Sequence, residues 1–164
     1  MEVTVEAAER RRAGRVVMVD PTGAVLLISG RDPSVPAAET FWLVPGGGAH
    51  EGETTDEAAR REVAEEVGAE LGELGPVAWW RRTSFAFAGL WYDQEESFYV
   101  VRAPSFVPHP TALTELEVQM TTGARWWPLA ELVATGEVVH PRQLGALVTS
   151  WLSIGPPARP VRID

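Results

Sequence analysis

Residues 46–69, Gly-Gly-Gly-Ala-His-Glu-Gly-Glu-Thr-Thr-Asp-Glu-Ala-Ala-Arg-Arg-Glu-Val-Ala-Glu-Glu-Val-Gly-Ala, constrain this chain more than any other stretch. Thr54 followed by Glu57 is a capping box, and Gly68 stands where a left-handed C-terminal cap is wanted, so the spacing predicts a helix over about residues 55–67. Ala59, Val63 and Val67 make a narrow apolar stripe that can face a core. Glu62, Glu65 and Glu66 share another face, within an arc of roughly 100°. Like charges at these spacings cost roughly 0.2–0.5 kcal/mol per pair, and the C-terminal half of a helix is a poor place for anions.

Such a face asks for a cation. Hard divalent ions take oxygen ligands, and Mg²⁺ is commonly held by one or two carboxylates plus substrate phosphates. Taken alone, a Glu-rich helix is more often a solvated surface. An Arg61 to Glu65 pair is equally common on ordinary helices. The spacing of the whole stretch decides between the two.

Gly47, Glu53, Arg61, Glu62, Val63, Glu65, Glu66 and Gly68 fall in register with Gly-x5-Glu-x7-Arg-Glu-U-x-Glu-Glu-x-Gly-U, where U is a bulky apolar residue. This resembles the signature of the Nudix hydrolases. Only the last position departs, where Ala69 is smaller than the usual aliphatic residue. The sequence Phe41-Trp42-Leu43-Val44-Pro45-Gly46-Gly47 is similar to the strand and turn that enter the box in that family. Arg125-Trp126-Trp127-Pro128-Leu129, followed by Glu131-Leu132, is similar to its late strand and helix start. The resemblance covers roughly residues 15–152.

The chain has 164 residues, 45% of them hydrophobic, which suits one domain with a real core. A net charge of −9 repels a nucleic-acid backbone and makes a small phosphorylated substrate dependent on metal ions. The absence of cysteine removes disulfides, thiolate catalysis and cysteine zinc sites. All 14 basic residues are Arg, so lysine Schiff-base chemistry and a phosphate-loop lysine are excluded. Gly47 and Gly52 have the spacing of a phosphate-binding loop, but Glu53-Thr54 stands where that loop needs Lys-Ser/Thr, and a carboxylate there reverses the charge at the phosphate. With no 18-residue apolar run and no signal-peptide pattern, a cytoplasmic protein is expected.

In chain order, residues 1–14 read as a polar lead carrying Arg10, Arg11 and Arg12. Residues 15–20 and 24–29 read as a hairpin across Pro21-Thr22-Gly23. Residues 31–40 are a loop, and residues 41–44 a short buried strand delivering the chain to the glycine turn. Residues 77–87 read as an aromatic-rich strand, 88–96 as a return turn and 98–102 as a buried strand. Trp79, Trp80, Phe85, Phe87 and Trp91 can stack a nucleobase, although core filling is the commoner role. Residues 104–110 form a proline-broken loop, and 111–123 carry Glu115 and Glu117 before a strand at 124–127. Helices are expected at 129–135 and from 143 to about 152, and residues 155–164 as an extended tail. His50, His109 and His140 lack metal-ligand spacing.

The element order suits an α/β fold with a mixed β-sheet between helices. The resemblance implies the Nudix-type α/β/α sandwich, with a lead at 1–14, the domain at 15–154 and the tail at 155–164. It also implies hydrolysis of the pyrophosphate bond in a nucleoside diphosphate linked to another moiety, with Mg²⁺ or Mn²⁺ as cofactor. Carried across, Glu65 and Glu66 are the main metal ligands, Glu62 is a third ligand or the general base, and Gly46 supplies a backbone carbonyl to the metal. Glu53 and Arg61 orient the cluster through a salt bridge. A carboxylate outside the box is expected to complete the site, Glu115 or Glu117 before Glu95 or Glu96. The expected partner is a small phosphorylated nucleotide, not duplex nucleic acid or a membrane, acting on a monomer or homodimer. A catalytically silent nucleotide-binding or regulatory Nudix-like domain is the alternative.

Overall fold

The computed structural model describes residues 9–37 and 39–164. Residues 16–19 set its layering, because alternate side chains on a strand point to opposite faces. All four are fully buried. Val17 and Val19 enter one core with Val25, Leu27, Val44, Phe98 and Trp127. Val16 and Met18 enter a second with Leu26, Ile28 and Tyr99. A strand buried on both faces must be covered on both sides.

That strand, β1 (Glu9–Val19), pairs in parallel with β6 (Leu90–Arg102) from Glu9 opposite Tyr92 to Val19 opposite Arg102. β2 (Val25–Gly30) returns antiparallel to β1 and pairs with β3 (Phe41–Leu43). β4 (Gly46–Gly48) lies antiparallel to residues 13–15 of β1. β5 (Trp79–Phe87) forms a hairpin with β6, β7 (Thr121–Trp127) pairs with β2, and β8 (Val138–His140) runs parallel to β3. β9 (Val161–Arg162) runs parallel to the start of β5. The result is a nine-stranded mixed sheet of order β8-β3-β2-β1-β6-β5-β9, with β4 and β7 joined to β1 and β2.

Helix α1 (Thr55–Val67) covers one face through Ala59, Val63 and Val67. Helices α3 (Leu129–Ala134) and α4 (Leu144–Ile154) cover the other through Leu132, Leu144 and Val148. A short α2 (Glu115–Met120) precedes β7. This is the expected α/β/α sandwich. Burying a valine side chain contributes about 1.5–3 kcal/mol, so Val63 and Val67 hold α1 on the sheet despite its acidic face.

Several local expectations are corrected. Of the polar lead, residues 1–8 lie outside the described residues, but residues 9–14 are strand because the β6 partner supplies a ladder where the local sequence is polar. The glycine turn is itself a strand, β4, since glycine lets the backbone press against β1. A Cβ on Gly46, whose φ is +144°, would stand 2.1 Å from the Gly14 carbonyl oxygen. Residues 90–96, read as part of a turn, are strand, and only Ala88 and Gly89 separate β5 from β6. Residues 155–164, read as an extended tail, contain β9, with Val161 N–H donating to the Ala78 carbonyl at 3.0 Å. β8 and α2 were not expected as elements. Among the described residues, no helix is long and apolar enough to cross a membrane.

Candidate active site

The site is built on α1, whose ends are fixed as its sequence dictates. Thr54 accepts the Glu57 N–H at 3.1 Å, and Gly68 closes the helix at φ +76°. Just before the cap, Glu53 turns back on Arg61. Its two carboxylate oxygens each accept a guanidinium N–H at 2.9 Å, and one also accepts the His50 N–H at 2.9 Å. Arg61 is a hub as well, donating to Glu62 at 2.9 Å and to the Gly48 carbonyl at 3.1 Å, and lying 3.5 Å from Glu65. The hydrogen bond from Arg61 is the main cause that holds the Glu53 pKa down at about 2. The guanidinium is pushed further up by the same bond. One planar group thus ties the loop, β4 and two helix carboxylates together.

Glu62 and Glu66 sit against the glycine strand. A Cβ on Gly47 would meet the Glu62 carboxyl carbon at 2.7 Å, so glycine there is what admits the carboxylate. The Gly46 N–H points at Glu66 Oε2, 3.4 Å away. Loss of water pushes the Glu66 carboxyl well above the usual carboxylate range, and the Glu62 charge adds to this. Desolvation, then Glu62, also raises Glu65. Negative charge is therefore crowded here beyond what Arg15 and Arg61 offset.

A third carboxylate arrives from elsewhere in the chain. Residues 106–111 wrap the C-terminal end of α1 and satisfy carbonyls that a helix terminus leaves without partners. His109 N–H donates to Val67 at 3.1 Å, Thr111 N–H to Glu65 at 2.8 Å and Thr111 Oγ1 to Ala64 at 2.8 Å. Trp126 Nε1 holds the Phe106 carbonyl at 2.9 Å. This clamp delivers α2, where Thr114 and Glu117 form a reciprocal cap at 3.0 and 3.2 Å. Glu62, Glu66 and Glu117 then offer oxygens that all lie within 4.8 Å of one another. Glu115 is exposed and is not in that cluster, and Glu65 stands beside it against Arg61.

The other expected residues fall differently. The Gly46 carbonyl accepts an N–H of Arg15 at 3.1 Å. Arg15 also reaches the Val44 carbonyl at 3.3 Å and Glu96 at 3.1 Å. Glu96, only 3% exposed, is gripped from the other side by Arg81 at 2.5 Å and by Gln94 at 2.8 Å. Arg11 donates to Gln94 and lies over the Tyr92 ring. Burial would raise the Glu96 pKa, but the charges of Arg15 and Arg81 outweigh it and hold it low. Glu95 is exposed. Sequence reasoning did not find Arg15, Arg81 or Gln94. The usable signal was their alternation, since Arg81, Gln94 and Glu96 occupy inward positions of two paired strands.

Of the rings considered for stacking, Trp79 is buried in the core and Trp80 lies beneath the Arg162 guanidinium. Phe85 stacks on Tyr92, with centroids 5.4 Å apart. Phe87 meets Phe41 edge to face at 6.4 Å, and Trp91 is 51% exposed.

Comparison with known proteins bears on this architecture. The family model described as NUDIX domain matches residues 9–147, and the chain belongs to the Nudix family. Among solved structures, the chain is similar to the MutT protein from Methanosarcina mazei Go1 at 16% identity, covering 88% of this chain and 94% of that one with a TM-score of 0.61. It is similar to the Nudix domain of Shewanella oneidensis NrtR, solved with ADP ribose, at 16% identity, 90% and 91% coverage and a TM-score of 0.63. A C. elegans Ap4A hydrolase, solved as a binary complex, aligns at 17% identity over 87% and 98% of the chains with a TM-score of 0.58. At these identities the likeness is one of fold. No curated protein sequence matches the chain.

Proposed function

We propose that the chain is a divalent-metal-dependent hydrolase that cleaves the pyrophosphate bond of a nucleoside diphosphate linked to another moiety. The observation that carries this reading is the convergence of Glu62, Glu66 and Glu117 within 4.8 Å on a family member whose Glu66 is penalised as an anion. Three carboxylates without a cation would repel, and all three donors are hard oxygens suited to Mg²⁺ or Mn²⁺. Glu62 and Glu66 would hold the ion, with Glu65 beside them, and the Gly46 carbonyl is the further ligand that the family resemblance implies. Such an ion supplies charge neutralisation at the phosphate oxygens and acidifies water.

The protein's own groups do the remaining work. Arg61 fixes Glu62 and Glu65 in place through its bond to Glu53, so the ligands are oriented before substrate arrives. Arg15 holds the Val44 and Gly46 carbonyls, setting the floor of the site. Glu117 takes the proton of the attacking water. Its carboxylate accepts the Thr114 N–H, which restrains it beside the cluster.

Structures of similar fold, a Nudix domain solved with ADP ribose and an Ap4A hydrolase, support a nucleotide-type substrate. A UDP-X diphosphatase of similar fold points the same way. A silent binding domain is the weaker reading, because every acidic position of the box is present and oriented. A screen of nucleotide sugars, dinucleoside polyphosphates and nucleoside triphosphates with Mg²⁺ or Mn²⁺, with Glu66→Gln as control, tests it. Metal-dependent release of phosphorylated products by the wild type alone is the expected result. Binding without turnover would favour the silent domain.

A further inference from the structure

The acidic cluster is separated from a group of arginines by a strand that has no side chains. Successive residues of a strand point to opposite faces. A Cβ on Gly47 would meet the Glu62 carboxyl carbon at 2.7 Å, whereas a Cβ on Gly48 would stand 3.4 Å from Arg11 Nη1. A Cβ on Gly46 would meet the Arg15 Cα at 2.7 Å. β4 is thus a wall one backbone thick, and with nothing of its own to pack it depends on neighbours for its position.

Arg15 supplies much of that support. Its Nη1 donates to the Val44 carbonyl at 3.3 Å and to the Gly46 carbonyl at 3.1 Å, while the Val16 N–H holds the Pro45 carbonyl between them at 2.9 Å. Three consecutive carbonyls at the entry to β4 are therefore held from β1. The Gly46 N–H of the same turn points at Glu66 Oε2, 3.4 Å away, so a shift of this backbone changes what Glu66 meets.

Arg15 is in turn fixed by Glu96. Glu96 Oε1 accepts Arg15 Nε at 3.1 Å and Gln94 Nε2 at 2.8 Å, and Oε2 accepts Arg81 Nε at 2.5 Å. Glu96 shares its face of β6 with Phe98, which packs into the core beneath α3 and α4, and it is not one of the clustered carboxylates on α1 and α2.

Stability alone accounts poorly for this ionic row. Val17, Trp79 and Phe98, two residues along the same strands from Arg15, Arg81 and Glu96, are buried apolar side chains of one core. Replacing a buried ion pair by well-packed apolar groups is commonly neutral or stabilising, so continuing that core would serve the fold as well. The row instead begins where β4 borders β1, with Arg15 paired to Gly46.

Resting on the metal-dependent hydrolase reading, we propose that Glu96 is a positioning residue of the metal site: acting through Arg15, it fixes the Val44 to Gly46 backbone against Glu66 and so sets the affinity for a divalent ion that it does not itself touch.

Calorimetry of Mn²⁺ binding to the substrate-free protein tests this. Glu96→Asp keeps the charge and withdraws it by one methylene, which separates position from long-range attraction. It is expected to weaken Mn²⁺ binding by about tenfold or more, the usual cost of losing a group that orients a metal ligand. Arg15→Met should weaken binding as much, and the double variant no further, because the two side chains act as one unit. Arg81→Met breaks an ion pair of the same carboxylate without touching β4, and should lower Tm while keeping the Mn²⁺ affinity of the wild type. Wild-type affinity in Glu96→Asp, additive losses in the double variant, or an equal loss in Arg81→Met overturns the proposal. If Glu96→Asp does not fold, Arg15→Met against Arg81→Met decides, since each breaks one Glu96 ion pair and only the first frees β4; equal affinities overturn the proposal. A wild type that binds no Mn²⁺ fails the reading of the acidic cluster, and the Gly46 amide resonance then judges the positioning. Displacement of that resonance by Glu96→Asp and Arg15→Met but not by Arg81→Met supports it, and any other pattern overturns it.

Discussion

Arg61 and Glu53 are joined by two parallel hydrogen bonds of 2.9 Å, and the same guanidinium donates to Glu62 at 2.9 Å and to the Gly48 carbonyl at 3.1 Å. A lysine can retain the charge but not this fork. Arg61→Lys is therefore expected to lower kcat by about tenfold or more while shifting Tm by only a few degrees. Activity assays beside thermal melts check it, and proportional loss of both would make the pair merely structural.

The same pair carries a pH signature. The Glu53 pKa is depressed from 4.5 to about 2, so its stabilising contribution is complete above the unfolded value. It is lost as pH falls from about 4.5 through about 2. The destabilisation caused by Glu53→Gln should shrink steadily over that window. Denaturant titrations at several pH values measure it, and a penalty independent of pH would contradict the ion pair.

Glu66 behaves oppositely. Its folded pKa is raised, so stability is present below the unfolded pKa of about 4.5 and falls as pH climbs toward the folded value. Glu66→Gln should consequently raise the metal-free Tm near neutral pH while leaving less than about a tenth of turnover. Mg²⁺ should raise the Tm of the wild type and not of the variant. A variant that responds equally to Mg²⁺ would remove Glu66 from the ligand set.

Much of this was legible in the sequence because it is local. Thr54, Glu57 and Gly68 fix both ends of α1, and the apolar stripe at Ala59, Val63 and Val67 fixes which side faces the core. What escaped reading depends on partners distant in sequence. Residues 90–96 looked like a turn because their inward residues include Gln94 and Glu96, which only Arg11, Arg15 and Arg81 on neighbouring strands make tolerable. β9 has no signal of its own beyond two residues, and β5 supplies its ladder. Glu115 and Glu117 could not be separated until the clamp on α1 by His109 and Thr111 set the approach of α2.

That separation is itself testable. Glu117→Gln should abolish the acidic limb of the kcat profile and lower kcat by about 10²–10⁴, the usual contribution of a general base. Exposed Glu115→Gln should match the wild type. An unchanged acidic limb in Glu117→Gln would return the base role to Glu62.

Two glycines separate stability from chemistry at the α1 interface. A Cβ on Gly14 would stand 2.0 Å from the Thr55 carbonyl oxygen and 2.9 Å from the Ala59 Cβ. Both obstacles are fixed, so the helix must move off the sheet, and Gly14→Ala should destabilise by about 1–3 kcal/mol or more. A Cβ on Gly47 meets instead the end of the Glu62 side chain, at 2.7 to 3.0 Å. That side chain can swing away at little cost to the fold, but its carboxylate then leaves Glu66 and Glu117. Gly47→Ala should keep most of the melting temperature and lose turnover and Mg²⁺ affinity together. Thermal melts of the two variants, each with and without Mg²⁺, decide it: a Gly47→Ala protein that still gains stability from Mg²⁺ as the wild type does would mean that Glu62 holds no ion.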